Sequence, residues 1–287
     1  MNFKDFYKKG KQAFSFEIFP PKDEQGVVGL FSELKDLASF DPAFISVTYG
    51  AGGTTRDWTR DLAIRIHREL NLNTAFHFTC VGSSREEIKN YVERLKKEGL
   101  NLIVALRGDP PKGAVRFEKP ADGFQYASEL VSFLRSIDGF SMAVAGYPEG
   151  HVEAVSIDAD LLHLKEKVDA GADVVITQLF FDNRDYFDFV KRARALGITV
   201  PIIPGIMPVL GLKQLERITT LGGTKIPPAL HEELRKNQEY PDVLRDIGIR
   251  HATHQCQELL KHGVSGIHFY ILNKAYSTKK ILEALEK

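Results

Sequence analysis

The chain has 287 residues, 43% of them hydrophobic and 26% charged, enough to bury one large core or two small ones. Its 38 Lys and Arg balance its 38 Asp and Glu, so no overall field marks it as a nucleic-acid binder. The two cysteines, Cys80 and Cys256, belong to no metal or redox pair motif, and no apolar run follows the polar, lysine-rich stretch 1–12; the expectation is a reduced, cytoplasmic protein without a signal peptide or membrane segment.

The first organised stretch is 13–19, an apolar and aromatic strand with one carboxylate, Glu17, close to its end. Pro20 and Pro21 follow at once, and proline cannot continue a central strand. A buried carboxylate needs a partner or a purpose. Further strands are expected at 44–49, 74–80, 102–106, 140–145, 174–178, 202–205 and 266–270, rich in β-branched or aromatic residues. Several are apolar on both faces, as buried parallel strands are. Between them the period lengthens to about 3.6, predicting helices at 28–39, 56–70, 84–98, 122–135, 158–170, 184–196, 210–221 and 274–285. Ser84 with Glu87 has capping-box spacing, and Gly99, Gly171 and Gly197 suit helix C-termini.

Eight strands alternating with eight helices predict a (β/α)8 TIM barrel forming one domain over 1–287. A doubly wound open sheet is the alternative, although it calls for fewer strands and a Gly-rich first turn. Extra helices are expected between strands seven and eight, at 227–236 and 242–262. His251, His254 and Cys256 fall on the second of these at offsets that do not share one face, so no metal is expected there or elsewhere.

In such a barrel the chemistry gathers at the C-terminal strand ends. Read as a set, those ends carry Glu17, Thr48, Tyr49, His77, Arg107, Asp109, Tyr147, His151, Gln178 and Tyr270. They would surround a large flat ligand with hydrogen-bonding groups, two carboxylates facing one cavity. Taken singly the readings are plainer. His77 suits a satisfied core histidine, 50–55 a tight turn that fits neither a dinucleotide fingerprint nor a Walker A loop, and Phe180-Phe181 core.

Nine motifs give these ends a family likeness: Phe-Glu-Ile-Phe-Pro-Pro (16–21), Ser-Val-Thr-Tyr-Gly-Ala-Gly-Gly (46–53), His-Phe-Thr-Cys (77–80), Ala-Leu-Arg-Gly-Asp-Pro-Pro (105–111), Gly-Tyr-Pro-Glu-Gly-His (146–151), Lys-Val-Asp-Ala-Gly-Ala-Asp (167–173), Thr-Gln-Leu-Phe-Phe-Asp (177–182), Ile-Pro-Gly-Ile-Met-Pro (203–208) and His-Phe-Tyr-Ile-Leu-Asn (268–273). In this order, over essentially the whole chain, they resemble 5,10-methylenetetrahydrofolate reductase in its bacterial, single-domain form.

The resemblance implies a flavoprotein of one-carbon metabolism and methionine biosynthesis, holding FAD, with FMN as the alternative. NADH or NADPH would reduce the flavin and leave, and methylenetetrahydrofolate would then accept the hydride in ping-pong fashion. It also implies a homo-oligomer. Carried over by position, Glu17 is the general acid, with a raised pKa, and Asp109 stabilises the cationic folate. Gln178, Gln214 and Lys274 contact substrate, and Thr48 the nicotinamide. Tyr49, Ala51, His77, Arg107, Gly108, Ala127, Tyr147, His151, Ala154, Asp160, His163 and Lys167 match flavin-binding positions, Lys167 at a phosphate. Three positions depart from the enterobacterial pattern: His163 replaces an expected Asn, Glu166 an Arg near the phosphates, and Lys274 an Arg near the folate's carboxylates. The competing readings are a related barrel demethylating a methyl donor to tetrahydrofolate, and a flavin-free folate-binding subunit.

Overall fold

The computed structural model describes residues 1–8, 12–48, 56–80, 82–108, 119 and 121–286. Eight strands, β1 (Ala13–Ile18), β2 (Phe44–Val47), β3 (Thr74–Thr79), β4 (Leu102–Leu106), β5 (Ser141–Gly146), β6 (Val174–Leu179), β7 (Ile202–Ile206) and β8 (Gly266–Tyr270), close into a barrel in sequence order. Neighbours pair in parallel throughout, and β8 returns to β1 with His268 beside Ser15 and Tyr270 beside Glu17. The barrel expected from the alternation is the fold.

Its helices are α1 (Phe3–Phe6), α2 (Glu24–Ala38), α3 (Arg56–Leu70), α4 (Arg85–Lys97), α5 (Ala127–Ser136), α6 (Ile157–Asp169), α7 (Asn183–Ala195), α8 (Leu212–Gly222), α9 (Pro228–Lys236), α10 (Pro241–Lys261) and α11 (Tyr276–Leu285). The expected extra helices between strands seven and eight are α9 and α10, each opening on a proline, where the missing N–H costs nothing. They pack Leu230, Leu234, Leu244 and Ile247 over Leu179, Phe181, Met207 and Val209. On α10, His251 Nε2 lies 3.0 Å from the Phe181 carbonyl and Cys256 is buried, which gives both residues structural employment. None of the helices among the described residues is long and apolar enough to cross a membrane.

Two helix starts differ from the sequence reading by four residues or more, and capping explains both. Helix α2 begins at Glu24 rather than 28, because Asp23 accepts a hydrogen bond from the Gly26 N–H at 2.8 Å, outweighing the poor helix propensity of Gly26 and Gly29. Helix α5 begins at Ala127 rather than 122, where the Glu129 carboxylate takes the N–H groups of Gln125 and Tyr126 at 2.6 and 3.0 Å.

Strand alternation sorts side chains into two cores. Phe16, Ile18, Ile45, Val47, Phe76, Phe78, Ile103 and Ala105 pack outward beneath the helices. Phe44, Ala75, Leu102, Val104, Ala143, Val174, Ile176 and Ile203 fill the interior, where Phe3 and Tyr7 join them from the N-terminal segment. Helix α1 is therefore a plug in the bottom of the barrel. Only four residues long, it leaves no readable period, and Asn2 and Asp5 hold it by a reciprocal capping box. The Phe3 N–H donates to Ser141 Oγ at 2.9 Å, and the ring meets Phe44 edge-on with centroids 5.1 Å apart. Lys4 pairs with the buried Asp173 at 3.3 Å. Truncating so enclosed a ring leaves a cavity, so Phe3→Ala is expected to cost about 3–5 kcal/mol in chemical denaturation, and a loss below about 1 kcal/mol would mean that the plug carries little of the barrel's stability.

Candidate active site

The interior changes character along the barrel axis. Below lie the apolar side chains around Phe3; above them the inward positions turn polar, with Ser15, Glu17, Ser46, His77 and His268 all buried or nearly so. Gly205 permits one further arrangement. A Cβ there would come within 2.2 Å of the Thr177 carbonyl and 2.6 Å of the Tyr270 ring. Without it, Tyr270 lies across β7 and its hydroxyl donates to the Thr177 carbonyl at 2.6 Å.

Glu17 is the centre of this layer. His77 Nε2 lies 3.2 Å from its Oε2, and His268 Nε2 lies 3.6 Å from the same oxygen. The His77 nitrogen has no hydrogen-bond partner of good geometry among the described residues, although it is this close to the carboxylate. Burial pushes the carboxyl up, but its interactions with His77 and His268 outweigh it and hold the carboxyl at about 2, below its ordinary 4.5. The raised value expected for a carboxyl among Phe16, Phe19 and a flavin ring is thus corrected for the ligand-free protein. Two imidazoles that the strand-one motif does not reveal sit beside it.

Glu17, His77, Val104, Leu106, Ala145, Tyr147, Ile176, Gln178 and Tyr270 line a cavity of about 190 Å³ at the barrel mouth. The Gln178 side chain lines it too, with its carbonyl oxygen accepting the Leu179 N–H at 2.9 Å. A second cavity of about 310 Å³ adjoins it and shares Leu106, Ala145 and Tyr147. Arg107, Ala127, Tyr147, His151, Ala154, Asp160, His163 and Lys167 all line this second space, so β4, β5, α5, α6 and the loops that follow the two strands bring together eight of the positions named from the family resemblance. Small Ala127 and Ala154 leave it open. Its cations are held in place: Arg107 pairs with Glu153 at 2.6 Å, and Lys167 Nζ donates to the Ala145 carbonyl at 2.6 Å. Burial pulls Lys167 down to about 8, with Asp160 opposing, so it remains mostly charged at neutral pH. His151 meets Tyr147 edge-on at 4.7 Å, and burial, with Arg107 nearby, lowers its pKa.

The other expected positions are distributed differently. Thr48 ends the β1–β2 ladder, its N–H donating to the Ile18 carbonyl at 2.9 Å, and lines neither cavity. Gly108 follows β4 with φ of 88°, a left-handed conformation suited to glycine. Gln214 is exposed on the first turn of α8. Lys274 is exposed and faces Glu33 at 3.6 Å. The expectations for Tyr49, Ala51 and Asp109 fall outside the described residues. His163 and Glu166, two of the three departures, face each other at 3.7 Å one helical turn apart on α6, and both line the larger cavity.

Residues to which the sequence reading gave no individual role also belong here. His268 and Tyr270 are presented by β8 at period two, a signal available in His-Phe-Tyr, while Tyr126, Ser128 and Glu153 reach the larger cavity from loop and helix ends. Among the described residues no group of three His, Cys, Asp or Glu could hold a metal ion.

A parallel (β/α)8 barrel with a carboxylate beside two imidazoles at its C-terminal mouth, opening into a cavity lined by charged side chains of both signs, is the framework of a barrel enzyme. A family model described as methylenetetrahydrofolate reductase matches residues 2–286, and the chain belongs to that family. It is 38% identical to 5,10-methylenetetrahydrofolate reductase of Pectobacterium carotovorum and 37% identical to that of Escherichia coli, over 96% of this chain and 91% and 92% of theirs. To methylenetetrahydrofolate reductase (NADH) 1 of Arabidopsis thaliana it is 40% identical over 97% of its length, and it spans only 49% of that relative, about half, as with the other plant relatives matched. Among solved structures, an uncharacterized Clostridium thermocellum protein that binds two copies of 5-methyl-5,6,7,8-tetrahydrofolic acid has the same fold, with a TM-score of 0.66 at 14% identity, covering 100% of this chain and 98% of the other.

The carboxyl's position has a consequence for stability. Its folded value lies below the ordinary 4.5, so its contribution is present above that pH and disappears as the pH falls toward 2. The full span is about 3 kcal/mol. Denaturation of wild type and Glu17→Gln between pH 6 and about 3.5 is expected to give curves that converge on acidification; parallel curves would contradict the imidazole pairing.

Proposed function

We propose that this chain reduces 5,10-methylenetetrahydrofolate to 5-methyltetrahydrofolate, with a bound flavin as carrier and NADH or NADPH as the electron source, nicotinamide and folate taking turns at one mouth. The observation that carries this reading is the junction of the two cavities at Tyr147. It joins a chemically competent carboxylate, Glu17, to a chamber with Arg107 and Lys167 on its walls.

The residues present suit a flavin nucleotide. Lys167 and Arg107 are cations for its phosphates, with His151 and the small side chains Ala127 and Ala154 giving room. His77 Nε2, buried and without a directed hydrogen bond, offers a further group to the ring end. When bound, the flavin supplies the hydride carrier between nicotinamide and folate. The His163–Glu166 pair offsets charge at a position where the enterobacterial pattern has Arg, which keeps FMN as the alternative to the FAD favoured by family membership.

Glu17 supplies the proton. In the ligand-free protein it is a carboxylate at neutral pH. A pterin closing the mouth would strip water from the little of its side chain that remains exposed, strengthening the burial that favours the neutral acid. Both histidines approach Oε2, so Oε1 carries the proton toward the folate's bridging nitrogen and opens the five-membered ring. Gln178, which lines the cavity, orients the pterin, and Asp109 stabilises the cationic iminium electrostatically.

Heat-denatured protein is expected to release intact, non-covalent flavin, identified by chromatography; protein prepared with care and holding neither FAD nor FMN would end the flavin assignment. Lys167→Glu sets like charge against the phosphate and is expected to lower flavin content, consistent with a charge-assisted contact of about 1.5–3 kcal/mol. Glu17→Gln keeps size and polarity but removes the acid. Stopped-flow spectra are expected to show NADH bleaching the flavin almost normally and the folate half-reaction slowed by about 10²–10⁴-fold. Loss of both halves together would make Glu17 structural.

A further inference from the structure

Strands β6 and β7 do not pair evenly at the mouth. Their register runs from Val175↔Ile202 to Ile176↔Ile203 and then passes to Leu179↔Gly205, so Thr177 and Gln178 together stand opposite Pro204. This is a β-bulge on β6, an irregularity that re-aims side chains beside a site. It breaks one ladder bond. In an unbroken parallel ladder the Gly205 N–H would donate to the Thr177 carbonyl. Here it donates to Thr177 Oγ1 at 2.9 Å. Thr177 is fully buried, and a buried carbonyl needs a donor. The donor is the Tyr270 hydroxyl at 2.6 Å, which comes from β8, two strands away. Gly205 lets it through: a Cβ there would lie 2.2 Å from the Thr177 carbonyl oxygen and 2.6 Å from the Tyr270 ring. Burial, with Glu17 and Tyr147 nearby, pushes the Tyr270 hydroxyl well above its ordinary 10, so it keeps the proton it donates.

The bulge carries Gln178. That side chain lines the mouth cavity with Glu17, and its carbonyl oxygen accepts the Leu179 N–H at 2.9 Å. The end of α8 stands on its other side. There a Cβ on Gly222 would lie 3.9 Å from Gln178 Nε2, and Thr224 Oγ1 donates to the Leu179 carbonyl at 3.4 Å. From this geometry we infer that Tyr270 is a positioning residue for Gln178: its hydroxyl replaces the lost ladder bond and fixes the bulge that sets the amide at the mouth. Without that hydroxyl the Thr177 carbonyl is buried and unpaired, and the peptide joining Thr177 to Gln178 turns to find another donor. The turn displaces Gln178, and a shift of about 1 Å at a substrate contact is enough to cost most of its effect. The Tyr270 ring also lines the cavity, so wall and anchor are one side chain, and removing the hydroxyl alone separates the two roles.

The inference rests on Gln178 contacting the folate, and the test keeps the two ideas apart. The probe is tetrahydrofolate, which has the pterin but no one-carbon group, so no turnover intervenes. Its binding to the holoenzyme is measured by anaerobic equilibrium dialysis. Tyr270→Phe keeps the ring and is expected to weaken that binding about 5–20-fold, the scale of one buried hydrogen bond, with flavin content unchanged. Gln178→Ala is expected to give a larger loss, and Tyr270→Phe/Gln178→Ala to bind no more weakly than Gln178→Ala alone, because a positioning residue has nothing left to place. Thr177→Val removes the acceptor of the Gly205 N–H while keeping shape, and is expected to give a loss like that of Tyr270→Phe; it also serves if Tyr270→Phe does not fold. Thr177→Ser restores the hydroxyl and is expected to recover the affinity. Amide exchange reads the bulge directly: in Tyr270→Phe without folate, the Leu179 N–H is expected to exchange about 10-fold faster. Additive losses in the double variant, or wild-type affinity in Tyr270→Phe beside a weakened Gln178→Ala, would overturn the positioning role. Unchanged Leu179 exchange in Tyr270→Phe would overturn the anchor itself. Wild-type affinity in Gln178→Ala would instead remove the folate contact on which the inference rests.

Discussion

One carboxylate inside a barrel sets the terms for the rest of this structure. Burying Glu17 is unfavourable for its charged form, and the two imidazoles that meet Oε2 are what allow it to remain ionised there. Those imidazoles need support in turn. Ser15 satisfies the far side of His268, and Phe44 and Tyr270 enclose its ring. The Tyr270 position depends on Gly205, because any side chain at that point of β7 would occupy the space its ring takes. A requirement at one oxygen atom thus propagates through strands β1, β2, β3, β7 and β8.

The rest of the interior pays for this polar layer with an apolar one. Leu102, Val104, Val174 and Ile203 fill the lower barrel, and Phe3 seals it from below. The division is a physical necessity, since polar groups buried together can satisfy one another, whereas the same groups scattered through an apolar core would each need a partner. It also fixes direction. The polar end is the C-terminal end of the strands, where loops are free to vary, and there the small mouth cavity meets the larger one lined by Arg107 and Lys167. Membership of the methylenetetrahydrofolate reductase family gives this arrangement its chemical context. The pairing of His163 with Glu166 puts two departures from the enterobacterial pattern in contact, so they act as one local change in charge rather than two.

Much of this was legible beforehand. The alternation of strands and helices predicts the closed barrel, the extra helices before β8 and the strand-end address of Glu17, because parallel strands buried on both faces and amphipathic helices leave unlike periods in the sequence. The family resemblance likewise names eight residues that line one cavity, since each sits at a strand end, in the loop after it or on the following helix, and the barrel gathers those places on one face. Capping was less legible. The starts of α2 and α5 depend on backbone N–H groups that donate to the Asp23 and Glu129 carboxylates, which periodicity does not register.

What only the tertiary structure decided is who stands beside whom. Sequence alone placed a carboxylate in strand one and a histidine in strand eight, 251 positions apart, with no local sign that closing the barrel would make them neighbours. The sign of the Glu17 shift followed from that closure. A carboxyl read among Phe16 and Phe19 is pushed up by burial, whereas one read beside His77 and His268 is held down by its interactions with them. In the same way Gln214 and Lys274 came within reach of the site only as motif positions, and the fold leaves both on the surface. Periodicity and composition act along the chain, over a few residues at a time; a pKa and a cavity wall are set by groups that meet only when β8 pairs with β1.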